Sequence, residues 1–263
     1  MSTQASANLN IMIKAARKAA RGLVRDFGEV ENLQVHSKAA GDFVSKADIK
    51  AEQVIREELT EARPNYGWMG EESTEVKGAD PTRRWIVDPL DGTSNFLHGM
   101  PHWAVSIALE HKGEIVSAVI FDPVKDEMFT AEKGAGAWLN DSRLRVSDRS
   151  DLISCVFATG IPFGGSANLP ENLQQQARIA PTCAGIRRWG AAALDMAYVA
   201  AGRFDGYWER GVNAWDIAAG ILIARESGAL IEAMDKDASI FDSNSVLASN
   251  GVIFDRFAKL VRA

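Results

Sequence analysis

The sequence predicts a layered α/β fold, built as one unit with two halves that meet near residue 145. Hydrophobic residues make up 46% of the chain and charged residues 24%, so a sizeable core can form. Two helical patterns and then a run of short strands occupy the first half, whereas strands alternate with helices beyond Ser147. No internal repeat or low-complexity linker divides the chain. We therefore expect a single domain, residues 1–263, with halves of about 1–145 and 146–263.

Two helices are predicted first. Apolar residues at helical spacing give the first helix a face that can pack on the domain; they are Met12, Ala16, Ala20, Leu23 and Phe27. A polar loop around His36 to Asp42 follows it. A second helical pattern, which includes Val54, ends at Arg63-Pro64-Asn65, because a proline disfavours helical geometry in the residue before it.

Strands then dominate the first half. Trp85-Ile86-Val87 has the composition of a short buried strand, and it runs into Asp88-Pro89-Leu90-Asp91-Gly92, which is too rich in turn-forming residues to continue as sheet. Functional residues are expected at this strand end. Further strands are predicted at Trp103 to Leu109, Ile115 to Phe121 and within Phe129 to Leu139, with Lys112-Gly113 as a hairpin turn.

The second half alternates strands with helices, and Gly/Pro-rich loops separate them. The predicted elements are a strand at Ile153 to Ala158, a loop at Gly160 to Gly165, helices near Leu173 and at Ala191 to Ala201, a strand at Phe204 to Trp208 and a helix at Ala214 to Glu226. Asn213 can cap the last of these helices and Gly228 can end it. We expect the functional site in the crevice between the two halves.

The composition argues against several classes of function. The formal net charge is -6, whereas proteins that bind nucleic acid or anionic membranes usually present a positive field. No apolar run approaches the roughly 20 residues that cross a bilayer. The two cysteines, Cys155 and Cys183, lie far apart, which favours buried thiols in a reducing cytoplasm over a disulfide framework or a zinc site. The basic stretch before Asp26 is compatible with a transit peptide, but its apolar face favours a packed first helix.

Two carboxylates stand three positions apart where a buried strand ends. Asp88, Asp91 and the backbone carbonyl of Leu90 can converge on one cation, and magnesium prefers such hard oxygen ligands. Gly92 and Thr93 follow directly and can open a short helix whose free amides point at a phosphate. Taken alone, this acidic segment is also compatible with a turn followed by a helix cap.

Four motifs together resemble those of the inositol monophosphatase family. In chain order they are Gly41-Asp42-Phe43-Val44-Ser45-Lys46-Ala47-Asp48, Gly70-Glu71-Glu72-Ser73, Trp85-Ile-Val-Asp-Pro-Leu-Asp-Gly-Thr-Ser-Asn-Phe and a late Trp215-Asp216. Each motif is weak by itself, but the four in this order are specific, and the likeness covers nearly the whole chain. The resemblance implies the α-β-α-β-α sandwich of sugar phosphatases, a homodimer and sensitivity to lithium. Family members often carry a lysine shortly before the region that corresponds to Asp42. This chain departs from that pattern, so we assign no role to Lys38.

The resemblance also implies that two or three magnesium ions surround the substrate phosphate. Their ligands would be Glu71, Asp88, Asp91, Asp216 and the Leu90 carbonyl. Asp48 and Thr93, together with Glu71, would be catalytic by orienting the water that attacks phosphorus in line. The residue types alone leave plainer interpretations open, with Glu71 as an exposed acid and with Asp48 and Asp216 as acids in the first turns of helices.

The implied substrate is a small phosphorylated polyol or sugar, most simply inositol 1-phosphate, which is hydrolysed to the polyol and phosphate. Its contacts would be Gly92, Thr93, Gly190, Ala192, Glu209 and Asp216. Arg187 and Arg188 fit either an anionic substrate or a surface or subunit contact. Sibling phosphatases that act on histidinol phosphate, fructose 1,6-bisphosphate or 3′-phosphoadenosine 5′-phosphate are alternatives. A regulatory protein that binds other proteins and keeps a vestigial site is an alternative of another class.

Overall fold

The structure, a computed structural model, describes residues 5–29, 35–39, 42–162 and 166–263. Gly41 and the Gly164-Gly165 part of the predicted loop lie outside the described residues. The helices are α1 (Ala7–Phe27), α2 (Lys46–Ala62), α3 (Thr93–Leu97), α4 (Leu169–Ile179), α5 (Ala192–Ala200), α6 (Ala214–Glu226) and α7 (Phe254–Arg262). The strands are β1 (Val35–Ala39), β2 (Asp42–Ser45), β3 (Tyr66–Gly70), β4 (Asp80–Asp91), β5 (Ala104–His111), β6 (Glu114–Asp122), β7 (Glu127–Glu132), β8 (Gly136–Leu139), β9 (Ser142–Arg143), β10 (Val156–Thr159), β11 (Gly185–Arg187), β12 (Gly206–Arg210), β13 (Ala229–Glu232) and β14 (Ser245–Asn250).

Local sequence explains where the first helices begin and end. The Ser6 hydroxyl caps α1 by accepting a hydrogen bond from the Leu9 amide at 3.2 Å. Helix α2 ends at Ala62, two residues before Pro64, as the sequence predicts. The predicted apolar face of α1 is buried at Met12, Ala16, Ala20 and Leu23, and Phe27 packs against the same cluster.

Two large sheets, one in each half, carry the fold. In the described part of the first half, seven strands lie in the order β3-β4-β5-β6-β7-β8-β9, and every neighbouring pair except β3–β4 is antiparallel. In the second half, five strands lie in the order β11-β10-β12-β14-β13. Strands β11, β10 and β12 are parallel, because their connections contain helices that return the chain to the same edge.

Alternating side chains on the strands divide the core into layers. On β5, Ala104 faces the cluster that contains α5 and α6, whereas Val105 faces the cluster that contains α1 and α2. On β12, Tyr207 faces α5 and α6, whereas Trp208 faces the cluster that contains α7. The layers are therefore helices, seven-stranded sheet, α5 and α6, five-stranded sheet, helices. This confirms the predicted α-β-α-β-α arrangement.

Three predictions about strands and loops were wrong in detail. The polar segment around His36 to Asp42 lies largely in two paired strands, β1 and β2; such a hairpin satisfies its own backbone and leaves no apolar signal in the sequence. Strand β4 continues through Asp91 rather than ending at Val87. The strand predicted to start at Ile153 starts at Val156, after a 3₁₀ turn at Leu152–Ser154.

No helix in the described parts of the chain is both long enough and apolar enough to cross a membrane. Helix α1, the longest with 21 residues, is amphipathic, and its basic residues lie outside the buried face.

Candidate active site

A cavity of about 370 Å³ opens between the two halves. The end of β4 and the start of α3 form one wall, and β12 and the starts of α5 and α6 form the other. Ten of the predicted site residues line it: Glu71, Asp88, Leu90, Asp91, Gly92, Thr93, Gly190, Ala192, Glu209 and Asp216. Arg188 lines it as well, whereas Arg187 does not. Asp48 is fully buried behind the lining.

An irregularity in β4 brings its two aspartates to the same cavity. In a regular strand, residues three positions apart point to opposite faces. Here the pairing of β4 with β5 shifts register between Asp88 and Asp91, and both side chains line the cavity. Pro89 lies inside this shift. Proline has no backbone N–H to donate, and the hydrogen bonding between the strands does not require one at this position. The Asp88 carboxylate accepts a hydrogen bond from the Leu90 amide at 2.9 Å, which stabilises the bend.

Glu71 reaches the same place from the neighbouring strand. Its amide donates to the Val87 carbonyl at 3.1 Å, so the parallel pairing of β3 and β4 extends one residue beyond β3. This pairing sets Glu71 beside Asp88, with which it shares a side-chain hydrogen bond.

Asp91 joins the two halves through the start of α5. Its carboxylate accepts hydrogen bonds from the amides of Ala192 at 3.1 Å and Ala193 at 2.8 Å. These amides have no partner within the helix, because they belong to its first turn. The helix N-terminus therefore holds a carboxylate from the other half of the molecule in place.

Thr93 and Asp48 form a polar pair at the edge of the cavity. The Thr93 hydroxyl lies 3.0 Å from an Asp48 carboxylate oxygen and 3.0 Å from the Leu90 carbonyl, and its single proton can serve one of them at a time. Asp48 lies in the first turn of α2, as the plainer interpretation predicted, but it is completely buried rather than exposed. The pair is therefore linked directly to the carbonyl predicted as a ligand.

The second half contributes two further acids. Asp216, in the first turn of α6, accepts a hydrogen bond from the Asn213 amide at 2.6 Å, as an acid of a capping box does. Glu209, on β12, accepts a hydrogen bond from the Tyr207 hydroxyl at 2.6 Å. Both side chains line the cavity, so each combines a local structural role with a position at the site.

Burial and mutual repulsion make these acids hard to ionise together. Burial raises the pKa of Asp88, and the charges of Glu71, Asp91 and Asp216 raise it further. Burial likewise raises the pKa of Asp91 to about 7, although the amides of Ala193 and Ala192 oppose the change. The pKa of Asp216 rises mainly through burial. A cation in the cavity would remove this repulsion.

The donor set fits magnesium better than a softer metal. Glu71, Asp88, Asp91, Asp216 and the Leu90 carbonyl offer only oxygen. In the described residues no three acidic, histidine or cysteine side chains are arranged to enclose an ion by themselves. Water and phosphate oxygens usually complete the octahedron of a magnesium ion in proteins.

Several residues near the cavity were missed by the sequence prediction. Asp195 is 1% exposed, and one of its carboxylate oxygens has no partner among the described residues. Burial, then the charge of Glu209, raises the pKa of Asp195. Asn95, inside the quoted Thr-Ser-Asn-Phe motif, is buried and bonds to both halves. The motif that contains Asn95 could have indicated that residue, but its contact with Trp189, 94 residues away, leaves no local signal.

Known proteins resemble the chain over nearly its whole length. Residues 5–263 match the sequence model described as the Inositol monophosphatase family. An inositol-1-monophosphatase of Rhizobium meliloti (strain 1021) is 53% identical over 257 residues, which cover 98% of this chain and 95% of that protein. A Nus factor SuhB of Pseudomonas aeruginosa is 43% identical over 250 residues, covering 94% and 92%. The crystal structure of the extragenic suppressor protein suhB from Bartonella henselae superimposes with a TM-score of 0.95 at 50% identity, covering 98% of this chain and 99% of that one.

Proposed function

The chain belongs to the inositol monophosphatase family, and from this premise we propose that it is a magnesium-dependent phosphatase acting on inositol 1-phosphate or a similar small polyol ester. The chain is a phosphoric monoester hydrolase, as its family and its relatives named inositol-1-monophosphatase establish. One observation supports the proposed ion and site most directly. Acids from both halves, at positions 71, 88, 91 and 216, line one cavity beside the start of α3.

The proposed ion would be held by Glu71, Asp88, Asp91, Asp216 and the Leu90 carbonyl, with room for two or three ions. When bound, magnesium supplies positive charge that offsets the repulsion among the acids, polarises the phosphate and makes water more acidic. The identity and number of the ions are part of the proposal.

The nucleophilic water would be oriented by Thr93 and Asp48. While the Thr93 hydroxyl donates its proton to Asp48, its lone pairs can accept a hydrogen bond from a water in the cavity. As that water attacks phosphorus and the bond from phosphorus to the ester oxygen breaks, one proton of the water would pass to the Thr93 oxygen while the Thr93 proton passes to Asp48. The departing polyol oxygen would take up a proton from solvent in the open cavity. Glu71 lies beside Asp88 on the same wall and would help to hold the water in line.

The remaining predicted contacts would bind and orient the substrate. The amides of Gly92 and Thr93 are free of helical partners and would meet phosphate oxygens. Glu209 would accept hydrogen bonds from polyol hydroxyls, and the Tyr207 hydroxyl fixes its orientation. Gly190 and Ala192 line the cavity next to Gly92, and these small residues would contact the ring of the substrate.

The test measures phosphate release from inositol 1-phosphate, histidinol phosphate, fructose 1,6-bisphosphate and 3′-phosphoadenosine 5′-phosphate. We expect inositol 1-phosphate to give the highest kcat/KM with magnesium, and chelator to abolish turnover. Asp91→Asn should lower kcat/KM by at least about 100-fold, or about 2.7 kcal/mol in the barrier. Asp141→Asn, which makes the same charge change at an exposed position, should leave it unchanged. Turnover that survives both chelator and Asp91→Asn would refute the magnesium mechanism.

Lithium sensitivity belongs to the same proposal. Lithium can occupy a magnesium position, but it carries too little charge to stabilise the leaving alkoxide. We expect lithium to inhibit turnover at saturating magnesium, while an equal concentration of sodium does not. Equal rates in the two salts would contradict this part of the proposal.

Because some relatives are named Nus factors, we also consider the alternative of a regulatory protein with a vestigial site. A regulatory protein with a vestigial site would release no phosphate from any of the four esters, with or without magnesium. The acids that line the cavity favour the phosphatase, because a relic would have no need to keep so many repelling charges together.

We also propose a cytoplasmic homodimer without nucleic-acid partners. Both cysteines are buried, unpaired thiols, as expected in a reducing compartment, and the net charge of -6 opposes contact with nucleic acid. The exposed apolar side chains of Met100 and Trp189 flank His102 and provide apolar area for a subunit contact. Sedimentation analysis at micromolar concentration would show a single species near twice the 28.5 kDa chain mass.

A further inference from the structure

The side-chain amide of Asn95 is buried between the two halves, and the proposed chemistry does not use it. Asn95 is 4% exposed and lies in α3, yet it does not line the cavity. Its Nδ2 atom lies 2.8 Å from the His102 carbonyl oxygen and 2.7 Å from the Trp189 carbonyl oxygen, with the Gly190 carbonyl at 3.5 Å. One side chain thus contacts backbone that is 94 residues away in sequence.

The partners fix which end of the amide faces them. Carbonyl oxygens only accept hydrogen bonds, so the NH₂ group of Asn95, not its oxygen, must point at His102 and Trp189. Its two protons match the two close carbonyls. Both carbonyls lie in irregular backbone outside helices and strands, where no ladder supplies a donor for them.

These bonds hold the backbone that faces the start of α3. Gly92 has a φ of 90°, and a Cβ placed there would lie 3.1 Å from the His102 carbonyl oxygen and 3.4 Å from the Gly190 carbonyl oxygen. The two segments joined by Asn95 therefore flank Gly92 closely. Gly92 and Gly190 both line the cavity, so the place where these two segments meet forms part of its wall.

We propose that Asn95 is a positioning residue that holds the Trp189–Gly190 turn against Gly92 at the cavity wall by tying it to His102 across the two halves. The inference rests on the proposed function, because it assigns Gly190 to contact with a polyol ring. Without the amide, the turn before α5 loses its hydrogen bond to α3. Helix α5 itself stays in place, because its residues from Ala193 to Ala200 are buried in the core. The amides that hold Asp91 belong to α5, so binding of the ion should not depend on Asn95.

The kinetic test compares a ring substrate with a short one. For Asn95→Ala we expect KM for inositol 1-phosphate to rise about tenfold, with kcat within threefold of the wild type. KM for glycerol 2-phosphate, which has no ring for Gly190 to contact, should change less than twofold, as should the magnesium concentration that gives half-maximal rate. A change of KM by the same factor for both esters would overturn the inference.

A matched control separates positioning from loss of stability. Asn250 is also buried; its NH₂ group donates to the Ser147 hydroxyl and the Arg149 carbonyl, and its oxygen accepts the amides of Val252 and Ile253, all away from the residues that line the cavity. Asn250→Ala should lower the melting temperature at least as much as Asn95→Ala does, yet leave both KM values unchanged. If Asn95→Ala does not fold, Asn95→Ser, which can still donate to one carbonyl, should give a smaller rise in KM for the ring substrate.

A second measurement does not depend on activity and therefore distinguishes failure of this inference from failure of the proposed function. Hydrogen exchange of the backbone amides of residues 188–191 should be at least about tenfold faster in Asn95→Ala than in the wild type, and unchanged in Asn250→Ala. Unchanged exchange in Asn95→Ala overturns the inference even if the wild type hydrolyses inositol 1-phosphate. Faster exchange in a protein that hydrolyses neither ester would uphold the tie and refute the proposed function.

Discussion

Single residues around the cavity combine structural and chemical tasks. Asp91 accepts two amides of α5, and Asp216 accepts the amide of Asn213, so each carboxylate satisfies backbone that would otherwise be unpaired. The same groups carry charges that burial disfavours. The proposed cation would offset these charges while the same carboxylates keep their hydrogen bonds to the backbone.

The environment of His102 leads to a separate prediction about how the stability of the fold depends on pH. Burial and, to a lesser extent, Lys125 lower its pKa to about 4, while Trp189 and Tyr198 pack edge-on against the ring. Lys125, whose charge contributes to this shift, is itself paired with Asp122. The unfolded chain takes up a proton near pH 6.5, whereas the folded chain does so only near pH 4. The unfolded state therefore binds more protons between these values, and stability is lost as the pH falls through this window.

Protonation of His102 should lower the free energy of unfolding by about 2 kcal/mol as the pH falls from 7.5 to 4.5. In urea unfolding, His102→Phe should therefore lose about 2 kcal/mol less over this pH range than the wild type does. His98→Phe, at an exposed position, should lose as much as the wild type. Equal losses for all three proteins would show that His102 becomes protonated without penalty.

At the scale of elements, close approach of helices α5 and α6 controls the second wall of the cavity. A Cβ at Gly220 of α6 would lie 2.5 Å from the Met196 Cβ of α5, which real contacts do not reach. Glycine is unfavourable inside a helix, so its presence here is explained by packing rather than by propensity. This contact sets how close Asp216, at the start of α6, lies to the start of α5.

Two glycine substitutions should therefore have opposite effects. Gly220→Ala should lower the unfolding free energy by about 1–3 kcal/mol, because the added methyl group forces the two helices apart. Gly22→Ala in α1, where a Cβ meets nothing within 4 Å, should raise it by about 0.5–1 kcal/mol through helix propensity alone. Thermal and urea unfolding measure both. A stabilising Gly220→Ala would show that α5 and α6 can separate without strain.

At the scale of the whole molecule, the proposed ion would bridge two halves with separate sheets. Glu71, Asp88 and Asp91 come from the first half and Asp216 from the second. The negative charges of Glu71, Asp91 and Asp216 raise the pKa of Asp88, and a cation would offset this repulsion. Binding should therefore stabilise the fold as a whole rather than one loop, since the ligand binds only the folded arrangement.

Magnesium should accordingly raise the melting temperature of the protein. At a concentration 100 times its Kd, the gain is about 2.7 kcal/mol, or roughly 5–10 °C for a chain of this size. Differential scanning fluorimetry with magnesium and with chelator measures the shift. Asp91→Asn and Asp216→Asn should each reduce it, and Asp141→Asn should not. A full shift in the first two variants would place the bound ion elsewhere.

The sequence by itself determined the fold class, the end of α2, the limits of α6 and the acidic segment around Asp88, because these depend on local periodicity, helix caps and a specific motif. It predicted a turn at Pro89, whereas the structure has a strand with a register shift. Only tertiary structure shows that this shift turns both aspartates toward one cavity, and that Asn95 and Ala193 reach across from one half to the other. These contacts join residues about 100 positions apart, and hydrogen bonds at such separations leave no pattern in neighbouring residues.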